Sequence, residues 1–542
     1  MGLTKCNVAL SLAVVLLLLT KLALLSGVTV EIRYAPHDDS LYVERAMWLL
    51  SGDALGPYDS RTLIKYPGLS LWLAGLRFVG IPFLAAVNAL YAASALYLAL
   101  AFLKAGANRW IVLLSFALSL FNPITYGNEW VRVIREPLDT GLLLVVFGAI
   151  AHVLVGLRAG RILWVHCAVF AVAFAFSMLL REENRLLWAV LGLFALAVAW
   201  QARVTLSPRR RLILLVPVLL FPAALAKTYE YVLRGFVAQH YGQPILHDLS
   251  EGEYPQLLAA IRSIDTAKDN RLVMAPQEAL EKLRREVPAF APVVERLPAP
   301  GNRTYSCQLH RVCSEWSNGW MLYWIKDEAF RAGLTPSLPA AQAYFRRVRT
   351  DIESACAAGK FHCTDRGKGL LRPMELRWTR AYVAEGFRLA RMALIPDINF
   401  EWPGPAGDVP ETLVRKFREI TLTDGPLATP TRNNNLLAKV RSALVTPYQA
   451  FAALLLVAAL AAFAVRLWIV DRAPLSPIAL VGLVAGAYIL FRLAALTYAA
   501  VFLGPFVSRI VFSTYSLSVI IALPFIAEMV SAWRKTTGSA AA

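Results

Sequence analysis

The chain has 542 residues, 57% of them hydrophobic and 17% charged, with a mean hydropathy of +0.52. Soluble proteins carry roughly 25% charged residues, so a soluble multidomain protein is excluded, as are disorder, collagen and a small disulfide scaffold. The net charge of +18 raises nucleic acid as a partner, but its distribution argues for none: residues 227–445 hold 30 of the 55 basic and 24 of the 37 acidic residues, and the other 323 hold 25 and 13. One polar region therefore interrupts an apolar, membrane-embedded body.

In chain order, ten apolar stretches approach the length needed to cross ~30 Å of hydrocarbon at ~1.5 Å per residue. They are 8–29, 81–103, 110–126, 138–156, 162–180, 186–201, 212–227, 447–465, 475–497 and 508–531. If the N-terminus is cytoplasmic, the alternate connections that then lie inside hold a run of basic residues, from Lys5 and Lys104 through Arg209 to Arg534 and Lys535, as the positive-inside rule requires. Eleven of the thirteen acids outside the polar region, all but Asp471 and Glu528, then face outward. This predicts a multi-pass protein of the bacterial inner membrane with both termini cytoplasmic. The first stretch reads as a retained anchor rather than a cleaved signal peptide, because Lys21 interrupts it.

The expected organisation is an N-terminal membrane module (1–226), a mainly helical periplasmic domain (227–445) and a C-terminal membrane module (446–542). Helical periodicity in the middle part covers 253–264, 276–287, 319–332, 339–358 and 375–393. Cys307 and Cys313 (C-x5-C) and Cys356 and Cys363 (C-x6-C) fall there, where an oxidising compartment favours two disulfides of undetermined connectivity. Zinc, with His310 and His362 nearby, lacks the usual C-x2-C spacing. The Asn302-Arg303-Thr304 sequon fits a glycosylation acceptor.

The first external loop, residues 30–80, carries the strongest chemical signal. Asp39 or Ser40 is expected to cap a short helix ending at Gly52, and a second helix begins near Pro67. Both suit amphipathic helices on the outer membrane surface. Asp38 and Asp39 are adjacent carboxylates at the membrane boundary, which repel one another unless a cation, metal or substrate compensates. Lys65 opens the second helix, where an ammonium beside a helix N-terminus makes an anion site, with a lipid phosphate as the available anion. The second loop clusters Arg132, Arg135, Glu136 and Asp139; arginine grips phosphate bidentately, and Asp139 inside an apolar run needs a polar partner. Arg181, Glu182, Glu183 and Arg185 form another dense knot, with Arg181 and Glu182 as cavity candidates or, the favoured reading, the whole as a self-satisfied salt-bridge turn. Arg492 and Arg509, in and beside the last two spans, line a cavity or reach headgroups, with His37 and Tyr42 as further candidates. No phosphate-binding Gly-rich loop, Rossmann, H-E-x-x-H or G-x-S-x-G motif occurs.

These residues resemble the membrane-bound C-type glycosyltransferases (GT-C), which move sugars from polyprenyl-phosphate donors. The segment from His37 through Ala46 is similar to the family's acidic pair in the first external loop. Leu63 to Leu73 is similar to the Lys-x-Pro segment of the protein mannosyltransferases and the lipid A aminoarabinose transferase, and Arg135 to Gly148 resembles the second-loop acid leading into a span. The likeness covers roughly residues 30–200. It implies an all-α polytopic fold of about ten transmembrane helices, and an inverting glycosyltransferase that moves a sugar from a polyprenyl-phosphate donor, such as undecaprenyl phosphate, to an extracytoplasmic glycan, lipid or protein. Of the catalytic pair Asp38 and Asp39, Asp38 is then the base. Lys65, with Arg132, Arg135 and Arg509, holds the donor phosphate. Asp139, with Glu136, is the second acid, orienting the acceptor or sharing a divalent cation such as Mg or Mn. The chain departs from those relatives at Tyr66 and Gly68, where they favour a second proline, and in inserting its external domain between the seventh and eighth spans. The rival readings are a lipid or solute transporter or flippase, a lipid-diphosphate-dependent polymerase or ligase, and a glycan-binding scaffold using Trp316, Trp320 and Trp324, a stripe that equally suits helix core.

Overall fold

The structure, a computed structural model, describes residues 5–161, 163–205, 207–267, 269–297, 307, 311–364, 371–398, 409–423, 436–468 and 475–538. The sequon at 302–304 and His310 lie outside them. Among the described residues there are helices and two isolated β-bridges but no strand. Nine helices among the described residues are long and apolar enough to cross a membrane: Val8–Leu25, Phe83–Lys104, Arg109–Tyr126, Arg135–Arg158, Glu182–Arg203, Leu215–Tyr241, Lys439–Trp468, Pro477–Leu503 and Ser508–Lys535. This is an all-α, multi-pass membrane architecture.

The stretch expected to span at 162–180 forms a 14-residue helix, Trp164–Ser177, about 21 Å long and too short to cross alone. It packs on Arg135–Arg158 and Pro208–Tyr241. The latter helix runs for 34 residues, straight through the composition shift at 226/227, because backbone hydrogen bonding continues where the side chains turn polar. Lys21, which interrupts the first span, is buried against Thr125 and sits 4.5 Å from the Tyr126 ring; a cation–π contact compensates its loss of water.

Arg135–Arg158 is the central element. It packs against Phe83–Lys104, Trp164–Ser177, Leu187–Thr205, Pro477–Leu503 and Phe512–Gly538. Gly141 and Gly148 permit the closest of these approaches: a Cβ at those positions would stand 2.8 Å from Leu90 Cγ and 2.5 Å from Tyr97 Cδ1. Pro137 lies in the first turn, where a missing N–H costs no hydrogen bond, so the helix can begin at Arg135 and project Arg135, Glu136 and Asp139 from its N-terminal end.

The middle region folds into Tyr254–Ser263, Gln277–Glu286, Asn318–Arg331, Leu338–Ala357 and Thr379–Leu394, close to the expected ranges. It also contains Ala291–Arg296 and Glu411–Thr421, which the periodicity did not single out. Its core is a separate apolar cluster that includes Trp316 and Met321. Trp316 is buried in that cluster and Trp324 packs against it, their rings 5.5 Å apart. The disulfides are Cys307–Cys313 and Cys356–Cys363, and Cys167 is a buried free thiol.

The loop between the first two spans, residues 30–80, holds helices Asp39–Ser51 and Gly68–Val79. Gly52 ends the first in the left-handed conformation, φ 85°. Neither Asp39 nor Ser40 caps it: the N-cap position is Asp38, with no side-chain capping bond, because the Asp39 carboxylate is drawn to Arg132 instead. The helix is two-sided, with Trp48 and Leu50 exposed toward its C-terminal end. Leu41, Tyr42, Val43, Arg45 and Ala46 are all buried, and it is sandwiched between Gly68–Val79 and Glu411–Thr421, with Lys416 reaching Glu44 at 3.0 Å.

Candidate functional site

A tight turn presents Asp38. Its amide donates to Ala35 O at 2.9 Å, while Ser40 Oγ accepts from the Ala35 amide and donates to Arg33 O. The carboxylate thus sits at a helix N-terminus, where the dipole favours negative charge, without being consumed as a cap. The second wall is set by Arg45, a fully buried guanidinium that donates to the carbonyls of Lys65 at 3.0 Å, Arg61 at 2.8 Å and Thr62 at 2.8 Å. Tying three carbonyls to one rigid fork fixes the segment that carries Lys65.

These two loop segments meet. Lys65 Nζ lies 3.7 Å from Asp38 Oδ1, and Arg509 Nη2 lies 2.9 Å from Asp38 Oδ2. The three side chains keep 15%, 19% and 25% exposure for Lys65, Arg509 and Asp38, so they are desolvated yet still reachable. Burial alone would raise the Asp38 pKa, but Lys65, Arg509, Arg135 and Arg132 together hold it well below the usual carboxylate range. Lys65 answers in kind: burial would lower its pKa, yet the Tyr323 phenol and the Asp38 carboxylate beside it push it above the usual lysine range. Partial exposure screens both effects.

Asp39 is in another state. It is fully buried, and Arg132 grips it through Nε at 3.0 Å and Nη2 at 2.6 Å, a bidentate pair. Burial raises its pKa, opposed by Arg132. Arg132 also donates to Glu129 at 2.8 Å, and Glu129 takes Arg509 at 3.0 Å. A backbone bridge from Glu31 to Arg132, with the Glu31 amide on Val131 O at 3.1 Å, aligns the two loops.

Deeper in, a second network replaces the expected self-satisfied turn. Arg181 does pair with Glu183 at 2.5 Å, but it also reaches Glu136 at 3.3 Å, while Glu182 accepts from Arg135 at 3.0 Å and lies 3.0 Å from His247. Arg185 donates to Tyr66 OH at 2.8 Å. The local charges are spent on other elements because the 3-10 helix Glu182–Leu186 points successive side chains in different directions. Asp139 accepts from Asn184 at 2.8 Å and from the fully buried Arg492 at 3.4 Å; Arg492 in turn donates to Tyr488 OH at 2.7 Å. Glu136 joins the two networks, since Arg509 Nε lies 3.5 Å from it.

His37 and Tyr42 flank Asp38 differently. The His37 ring stacks on Tyr323 at 4.5 Å and faces Asp327 at 3.8 Å. Tyr42 is fully buried, its hydroxyl meets no hydrogen-bond partner among the described residues, and burial pushes its pKa up to about 12. Among the described residues no group of three His, Cys, Asp or Glu stands ready to hold a metal; the acids here are each already turned toward an arginine or lysine.

Several residues of the site escape a reading by local motif. Glu129 and Arg45 carry no motif, although an arginine on the apolar face of a surface helix is itself a signal of a buried role. Tyr66 stacks on His247 at 5.0 Å, and the Asp248 amide donates to Leu63 O at 3.0 Å, so the inserted domain buttresses the Lys65 segment. Gly68 donates its amide to Leu179 O at 2.9 Å, and a Cβ there would stand 2.4 Å from that oxygen. Proline, with no N–H, has no place at that position.

At the level of sequence the chain matches no family model and no curated protein. Among solved structures it is similar to ArnT from Cupriavidus metallidurans in the apo state, with 13% identity over 92% of this chain and 78% of that one and a TM-score of 0.28. It is likewise similar to the same protein bound to undecaprenyl phosphate, with 13% identity over 91% and 77% and a TM-score of 0.26. At that level of superposition the likeness carries no functional argument, which rests on the site's own geometry.

Proposed function

We propose that the chain is an inverting glycosyltransferase that moves a sugar from a polyprenyl-phosphate donor to an acceptor on the outer face of the membrane, with Asp38 as the base. One observation carries the reading: a part-exposed carboxylate held between an ammonium and a guanidinium, 3.7 Å and 2.9 Å away, at the mouth of a helical membrane body. In the reaction, the acceptor oxygen attacks the anomeric carbon from the face opposite the phosphate. The bond from that carbon to the phosphate oxygen breaks with its electron pair going to the phosphate, and the acceptor proton passes to Asp38. The departing phosphate is anionic and needs cations more than an acid; Lys65 and Arg509 are placed to supply them.

The same cations account for an otherwise awkward property. Without donor, they keep Asp38 weakly basic. A phosphate that draws Lys65 and Arg509 to itself relieves the carboxylate of part of that field and raises its basicity where a proton has to be taken up. Asp39, Arg132 and Glu129 position this assembly rather than react. A divalent cation, if one binds, adds positive charge at the phosphate; no step above depends on it. The test is incubation of the purified full chain with a panel of polyprenyl-phosphate sugars. Transfer, or slow donor hydrolysis, is the expected result. A protein that moves the intact lipid across a vesicle bilayer without cleaving it is a transporter.

A further inference from the structure

Beside Asp38 a cavity of about 300 Å³ opens between the first external loop and the inserted domain, at the lower end of ordinary small-ligand sites, which run from about 300 Å³ upward. Its walls are Tyr34, His37 and Arg61 from the loop and Asp327, Phe330 and Arg331 from helix Asn318–Arg331. The cavity touches the reactive assembly on both sides: His37 immediately precedes Asp38, about 3.8 Å away from Cα to Cα, and Arg61 belongs to the segment that Arg45 ties down together with Lys65.

The lining chemistry is polar, aromatic and balanced in charge. Arg61 pairs with Asp59 at 3.2 Å and Arg331 with Glu328 at 2.5 Å, so each guanidinium's charge is balanced by a neighbouring carboxylate and the lining carries no net positive charge. Asp327 accepts from Ser60 Oγ and faces His37, leaving carboxylate lone pairs for hydroxyl donors. His37 Nδ1 is buried and meets no hydrogen-bond partner among the described residues. Tyr34 is 58% exposed and, with Phe330, offers apolar ring surface at the mouth. Carboxylate acceptors, aromatic faces and a lining whose two arginines are balanced by Asp59, Asp327 and Glu328 match a neutral sugar better than a phosphorylated headgroup.

From this we infer that the cavity is the acceptor subsite, that it takes a neutral saccharide approaching from the aqueous phase, and that the inserted domain sets acceptor choice through Asp327 and Phe330. The inference rests on the glycosyltransferase reading above and adds to it the class of acceptor. Because three of the walls come from the inserted domain, acceptor specificity can change with that domain while the donor assembly stays on the membrane helices.

The test uses the full chain in phospholipid nanodiscs, polyprenyl-phosphate sugars as donors, and neutral hexose and pentose disaccharides as acceptor probes, with transfer and donor hydrolysis measured separately. At least one disaccharide is expected to saturate. Asp327→Asn and Phe330→Ala are each expected to raise its KM about tenfold, the size of one lost charge-assisted hydrogen bond or ring contact, and to shift the ratio of transfer to hydrolysis toward hydrolysis. An unchanged KM in both variants, or saturable transfer only to a phosphorylated lipid acceptor, overturns the inference. If the wild type consumes no donor at all, the glycosyltransferase reading fails instead. Saturation-transfer NMR with the same disaccharides and no donor then still decides the cavity: binding weakened by Asp327→Asn supports it, and no binding to the wild type rejects it.

Discussion

The two acidic networks at this end of the helical body are built from the same residue types and differ in how free their members are. Around Asp38 the partners are few, part-exposed and up to 3.7 Å away, and a phosphate can displace them. Around Asp139 the partners come from different helices and are buried: Arg492 is fully so and joins Asp139 and Tyr488. An exchangeable pairing leaves a carboxylate available for chemistry, whereas a saturated one cross-braces helices. The difference divides the acids by role, and substitutions on the two sides should fail in different ways.

The sharpest contrast is expected at Asp38. Asp38→Asn keeps the volume and removes the base, so transfer by the purified variant should fall by up to about 10⁴-fold, the upper range for general-base catalysis, with unchanged elution and a thermal midpoint lowered only by the loss of its part-exposed ion pairs. Normal turnover would reassign the base. At the other pole, Arg492→Ala leaves Asp139 as an uncompensated buried charge, a loss of about 3–5 kcal/mol. Its signature is reduced yield and a lowered thermal midpoint, whatever happens to rate. A stable, well-behaved Arg492→Ala protein would erase the distinction between the networks.

Much of this contrast could be anticipated from the residues, and the part that could not has a physical cause. Apolar runs and turn residues located the membrane helices and most helices of the external domain, because burial and helix capping are local properties of a sequence. Asp38, Lys65 and Arg509 could each be named as charges stranded at a membrane boundary. Their distances could not be read, since Arg509 is 471 positions from Asp38 and only packing of the last membrane helix returns it. Asp39 illustrates the limit: adjacent to Asp38 and identical in type, it is held by Arg132 from another loop. The knot at Arg181–Arg185 misled for the same reason, as neighbours in sequence chose partners in space.

Smaller effects refine the comparison. Lys65→Gln removes one of two cations facing the departing phosphate, so kcat should drop about 10²-fold, the lower range for deleting a donor to developing charge, because Arg509 remains. An equal loss in Arg132→Gln would be a different matter: that change should act through stability, and a pure rate effect there would move Arg132 into the donor site. Gly68→Ala inserts a Cβ 2.4 Å from Leu179 O and should cost about 1–3 kcal/mol as a local clash. Thermal unfolding measures it, and an unchanged midpoint would mean that the loop relaxes without holding Lys65 in place.

The smallest expected effect is a flat pH profile. Asp38 is held below the ordinary aspartate value of about 3.9, so the folded state binds fewer protons than the unfolded state there; its stabilising contribution is complete above about pH 4 and is lost as pH falls through the depressed value. Lys65 is raised above the ordinary lysine value of about 10.4, so its contribution is complete below that pH and is lost only as pH rises through the elevated one. His37 is lowered, chiefly by burial, and stays neutral down to below about 6.5, its ordinary value. None of the three changes charge between about pH 6.5 and 9, so kcat/KM, which reports the free enzyme's groups, should be level across that interval. An acid limb centred near pH 7 would place the proton acceptor on a group other than Asp38, because no carboxylate held by two cations can titrate there.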